Sequence, residues 1–157
     1  MSSDSEKENL ALVRQKLKAG FVIWHFCDFT TPKPKWKLLL LVGKEDQEYL
    51  FFVINTKPSK FIQDSPELAR CQVIIDLRFH TFLDLKHESR IDCLEPVRRN
   101  VSEIENSLVK KPARILGQLN RAHVRRVLAA VEASPRINGF DKPIVVDTLK
   151  PLLEKPA

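Results

Sequence analysis

Residues 20–57 read GFVIWHFCDFTTPKPKWKLLLLVGKEDQEYLFFVINTK. Phe21 to Phe26 is a run of aromatic and β-branched residues, the composition of a strand. Pro32 and Pro34 exclude regular structure from the loop that follows, which brings in Lys33, Lys35 and Lys37 with no acid among them. Trp36 to Val42 is nearly all apolar and predicts a second strand. Gly43 to Gln47 is a polar turn, and Glu48 to Asn55 predicts a third strand that pairs with the second as a hairpin. Asn55-Thr56-Lys57 closes the unit. The stretch is thus a β unit with a cationic lip and a hydroxyl, that of Thr56, beside it.

Working outward, Ser5 and Glu8 have the spacing of a capping box, and Leu10, Val13 and Leu17 recur at helical intervals until Gly20. Residues 1–4 are expected to be disordered. Pro58 stops the third strand. Gln72–Asp76, Thr81–Leu85 and Ser89–Leu94 predict three more strands, with no room between them for crossover helices. Short strands so close together predict a small twisted barrel rather than a βαβ fold. After Pro96 the pattern turns helical. Ser102 and Glu105 suggest a capping box, Asn120 caps a longer helix lined by Val124, Leu128 and Val131, and a last helix is expected between Asp141 and Glu154 with Pro143 in its first turn. The expected class is mainly β with flanking helices: an N-terminal helix over 1–19, a barrel over 20–97, and a helical region over 98–157 of the same domain.

A chain of 157 residues suits one hydrophobic core. Its formal charge is +6, and the segment from Arg98 to Arg126 alone carries eight basic residues against Glu103 and Glu105. Such a field attracts a phosphate backbone; a solvated helix face is the plainer alternative. Lys33, Lys35, Trp36, Arg121, Arg125 and Arg126 form the candidate nucleic-acid footprint. Trp24 is read as core, whereas Trp36, between two lysines, suits core or base stacking equally. Cys27, Cys71 and Cys93 are odd in number, with no CxxC, which argues against a disulfide scaffold and a structural zinc site. The N-terminus lacks the apolar core of a signal peptide, and LLLLV is too short to span a bilayer. A cytoplasmic protein with no membrane partner is expected.

Neither a metal constellation nor a cofactor motif stands out. His80 and His87 lie seven residues apart across an expected turn, with Asp84, Glu88 and Asp92 nearby. A metal-free ribonuclease needs a group to take the 2′-hydroxyl proton, a cation for the phosphoryl charge and a donor to the leaving oxygen. Lys35, Lys37, Thr56, His80 and His87 are the residues available.

The order of these features resembles the PemK/MazF toxin family. Gly20-Phe21-Val22-Ile23-Trp24 is similar to its opening strand, Lys35 to Val42 to its second, and Phe51 to Lys57 to the strand ending in Thr-Ser. HESRIDCLEPVRR and Ile115–Asn120 resemble its late strand and the signature before its final helix. The resemblance implies an SH3-like barrel, usually a homodimer, that cleaves single-stranded RNA without metal and is neutralised by an antitoxin. It implies catalytic roles for Lys37 and Thr56, with His80 or His87 as a base. Lys37-Leu38 stands where the family has Arg-Pro, and Lys57 where it has serine. An inactive barrel that binds nucleic acid or a protein remains the alternative.

Overall fold

A computed structural model describes residues 3–28, 33–56, 64–85 and 87–154. Pro32, Lys57 and Pro58 lie outside the described residues. The elements are α1 (Ser3–Lys16), β1 (Phe21–Cys27), β2 (Lys35–Glu45), β3 (Glu48–Asn55), α2 (Pro66–Ala69), β4 (Gln72–Ile74), β5 (Arg90–Asn100), α3 (Val101–Val109), β6 (Ile115–Gln118), α4 (Arg121–Ala133), α5 (Asp141–Leu149) and α6 (Pro151–Glu154). The strands form one antiparallel sheet in the order β4-β5-β3-β2-β1-β6.

The expected barrel is not closed: β4 and β6 are the two edges of the sheet and do not pair among the described residues. The reason lies in Leu38–Val42. Alternate residues of this run enter two separate cores. Leu38, Leu40 and Val42 join Val22, Phe52 and Ile54 beneath Val124, Val127, Val131, Val145 and Leu149 of α4 and α5. Leu39 and Leu41 join Ile23 and Phe51 beneath Val13 and Leu17, at the end of α1, and Ile104 and Leu108 of α3. A sheet curled onto itself hides one face; a sheet apolar on both faces needs a helical layer on each.

Several local expectations change. β5 does not end at Leu94, as expected, but runs through Pro96 to Asn100. Phe51 faces Val97 and Val53 faces Asp92, so β5 carries extra residues across this irregularity, and Pro96 sits where a ladder hydrogen bond is already interrupted. Thr81–Leu83 is a 3₁₀ turn ended by Asp84 in the left-handed region (φ 50°), not a strand. β6 was not expected. Helix α1 begins at Ser3, ahead of the Ser5 box. Helix α3 is capped by Asn100, whose Oδ1 accepts from Ser102 N–H at 2.9 Å, while Glu105 turns away to bind Arg14. Asn120 caps α4 as expected, accepting from His123 N–H at 2.9 Å.

Candidate nucleic-acid interface

The helical layers leave the loop end of β1 and β2 uncovered. Residues directly opposite in an antiparallel pair share a face. Trp24 faces Leu38 and Phe26 faces Trp36, so all three aromatic side chains stand on the side of Val22 and Leu40. Trp24 is 39% exposed, Trp36 37% and Phe26 46%, which corrects the assignment of Trp24 to the core. The indoles of Trp24 and Trp36 stack at 5.8 Å between centroids and 18° between planes, and Phe26 meets Trp36 edge-on at 5.8 Å. The Arg114 guanidinium, carried by the turn before β6, lies 4.6 Å from the Trp36 ring centroid.

Two adjoining clefts share Trp24, Leu38 and Leu85. One, of about 380 Å³, is completed by residues including Phe82, Lys111 and Arg114. The other, of about 330 Å³, is lined by Lys35, Trp36, Lys37, Ile54, Thr56 and Ser89. The wall of the first depends on Gly117: a Cβ there would meet the Phe82 ring at 2.7 Å. Gly117→Val is therefore expected to displace Phe82 and to cost about 1–3 kcal/mol, typical of overpacking. Thermal unfolding followed by circular dichroism would show this as a midpoint lowered by about 3–10 °C; an unchanged midpoint would mean that Phe82 is not held by the β6 backbone.

The pleat divides the cationic lip. Lys37 faces His25 across the β1–β2 ladder, so its side chain leaves on the opposite face from Trp36. Its ammonium donates to Asn55 Oδ1 at 2.7 Å. Burial, and secondarily Lys35, pushes its pKa down. His25 is 4% exposed with Nδ1 unpartnered, and burial lowers its pKa too. Lys35, Trp36, Lys37 and Thr56 thus rim one cleft, while the Lys37 charge is anchored behind it. Lys33 is exposed just ahead of β2.

The histidines expected as bases are elsewhere. His80 is 1% exposed and packs its ring 4.4 Å from that of His123, which is 2% exposed. His80 Nε2 accepts from Asn120 N–H at 3.2 Å, so its Nδ1–H donates to the Asp76 carbonyl at 2.8 Å. His123 Nε2 accepts from Asp76 N–H at 2.9 Å and its Nδ1–H donates to Asn120 Oδ1 at 2.8 Å. Both rings tie the loop after β4 to the cap of α4, with neither nitrogen left to move a substrate proton. His87 is exposed, and neither it nor His80 lines the clefts.

Burial, then His80 and Arg126, pushes the His123 pKa down to about 4 from 6.5. The unfolded chain binds this proton more readily than the folded one. The contribution of neutral His123 is thus complete above about pH 6.5 and is lost as pH falls towards 4. We expect on the order of 2 kcal/mol of destabilisation across that interval, measurable as a falling urea midpoint. A midpoint flat from pH 7 to 4.5 would contradict it.

The basic segment is partly neutralised by residues far away in sequence. Arg98 binds Glu45, Glu48 and Asp141, and Arg99 binds Asp28. Arg125 and Arg126 are exposed on α4 and Arg121 is half-buried. Arg126 lines a groove with β4, and β4 is four strand positions from β1, about 19 Å. Arg126 and the lysine loop therefore do not form one patch. The cations that reach the aromatic clefts are Arg114 and Lys111, which sequence reasoning did not single out. The i, i+2 spacing of Trp24 and Phe26 was the available signal for the platform, since period two places both on one face.

Fold and site together define an antiparallel sheet between two helical layers, with an aromatic, cation-rimmed end left bare. No family model matches the chain, and neither a curated protein nor a solved structure matches it. Among the described residues no helix is long and apolar enough to cross a membrane.

Proposed function

We propose that this protein binds single-stranded RNA on the uncovered end of its sheet. Bases stack on Trp24, Trp36 and Phe26; Lys111 and Arg114 meet the phosphates. The supporting observation is the stacked Trp24–Trp36 pair, more than a third exposed, with a guanidinium over one ring. Aromatic faces accept any base, and a paired duplex offers none to them. Titrating tryptophan fluorescence with a uridine oligomer tests the proposal. Saturable quenching is expected, weakening with salt along a log–log slope of about −1.4 for two neutralised phosphates. Equal affinity for a duplex of the same length would defeat it.

A second function, metal-independent cleavage of that RNA, draws its support from Lys35, Lys37 and Thr56 meeting at the cleft beneath Trp36. It would make the chain a divergent PemK/MazF-like toxin of the cytoplasm, its sheet an opened relative of the SH3-like barrel, working as a homodimer under an antitoxin. No described histidine lines the cleft, so the base is Lys37, its pKa lowered by burial, once its nitrogen leaves Asn55 Oδ1 behind the cleft and turns to the RNA. Incubation with mixed single-stranded RNAs in chelator should give cleavage that Lys37→Ala/Thr56→Ala removes. Cleavage surviving that double substitution would end this assignment without touching the binding one.

A further inference from the structure

The opposite end of the sheet holds a different site. Lys44 is eight residues along β2 from Trp36, roughly 26 Å away for an extended strand. There the β2–β3 turn, the end of α1 and the first turn of α3 border a cavity of about 700 Å³, larger than either aromatic cleft. Its apolar lining is Leu17, Leu41 and Val101, and its polar lining includes Tyr49, Lys18, Lys44 and Ser102.

Three features distinguish it from an ordinary surface hollow. Tyr49 is only 9% exposed, with its ring against Phe51 at 5.9 Å, and its hydroxyl, bonded to no described residue, remains open to solvent at the cavity wall. Lys18 and Lys44 line the same cavity, also without a carboxylate partner among the described residues, and the Lys44 ammonium is 6.0 Å from the Tyr49 ring centroid. The acid that lines the cavity, Glu105, is occupied: Arg14 Nε and Nη2 donate to its two oxygens at 2.9 and 3.2 Å. The start of α3, marked by Ser102 in the lining, adds the positive end of a nine-residue helix. Donors and positive charge thus converge on an apolar floor, and the local carboxylate is already spent on Arg14.

We infer that this cavity binds a small organic anion, its apolar body on Leu17, Leu41 and Val101 and its charged head between Lys18, Lys44 and the Tyr49 hydroxyl. The site is independent of the aromatic platform. The probe is 8-anilinonaphthalene-1-sulfonate, an aromatic anion whose emission rises on leaving water. Saturable one-to-one enhancement is expected. Lys18→Gln/Lys44→Gln should weaken it about tenfold or more, as loss of charge-assisted bonds does. Tyr49→Phe, which keeps the ring and removes only the donor, should weaken it about threefold. Trp24→Ala/Trp36→Ala should leave it unchanged. Displacement by decanoate or by decyl phosphate then tells a carboxylate site from a phosphate site. Lack of saturation, wild-type affinity in the double lysine variant, dependence on the tryptophans, or failure of both competitors to displace the probe would each overturn the inference.

Discussion

Replacing Trp24 and Trp36 together by alanine is expected to reduce the affinity for single-stranded RNA by about a hundredfold. Base–aromatic stacking is lost at about 1–3 kcal/mol per base on alanine substitution. The two rings stack on each other at 5.8 Å and are therefore coupled, so the pair should lose less than the sum of its parts, about 3 kcal/mol. Both side chains are more than a third exposed, and the buried sheet begins beyond them at Leu38 and Leu39. The folded state should change little, with circular dichroism and the thermal midpoint close to wild type. Trp36→Phe should restore part of the affinity, because phenylalanine keeps a stacking face. Arg114→Ala should remove one phosphate contact and flatten the salt slope by about 0.7. Anisotropy of a labelled oligonucleotide gives all three numbers. A double variant that is folded and binds like wild type would refute the platform and, with it, the proposed function.

Arg98→Ala is expected to give the largest loss of stability. Arg98 lies on β5 with its side chain 28% exposed, and it is the shared cation of Glu45, Glu48 and Asp141. Asp141, at the start of α5, has a side chain only 8% exposed. Alanine at Arg98 leaves that carboxylate with Asn138 Nδ2 at 3.2 Å and two neighbouring acids. Removing one partner of a buried ion pair costs about 3–5 kcal/mol; the partial exposure of Arg98 places this case near 3. At about 2–4 °C per kcal/mol for a chain of this size, the midpoint should fall by about 10 °C. Adding Asp141→Asn should recover much of the loss, because it deletes the stranded charge while keeping the shape. A fall below about 2 °C, or no recovery in the double variant, would show that packing of Val145 and Leu149 alone holds α5.

The contrast between these two sites shows what the sequence made legible. The three strands of residues 21–55 could be read because their signals are local: β-branched and aromatic runs, a polar turn, prolines at the ends. Asn120 before α4 and Pro143 inside α5 are equally local. Arg98 could not be read correctly, since its acids come from residues 45, 48 and 141, and a count of charge along a segment cannot see across the sheet. The same blindness joined Arg126, which lines the groove at β4, with the lysine loop. Openness of the sheet was half visible: five consecutive apolar residues, Leu38–Val42, mean burial on both faces, which a small barrel with one filled interior does not supply. β6 was missed because Ile115–Gln118 is too short to show a period. Trp24 was misplaced by composition, since a tryptophan in a strand is usually covered, and only the extent of the helical layers decides that it is not.

The leucine run of β2 also leaves open a second alignment. Sliding β2 by one residue against its neighbours would still present leucine to both cores, so hydrophobic burial does little to forbid the slip. The same slip would exchange Trp36 with Lys37 between faces and dismantle the aromatic platform while the interior stayed greasy. What pins the strand is therefore at its ends: Lys37 tied to Asn55, and the bare Cα of Gly43 beneath Ile144, where a Cβ would come to 2.9 Å. Volume-conserving apolar substitution within the leucines of this strand leaves that register in place. An insertion or deletion of a single residue, by contrast, would break the Lys37–Asn55 tie, bring a Cβ against Ile144 and disperse the aromatic platform.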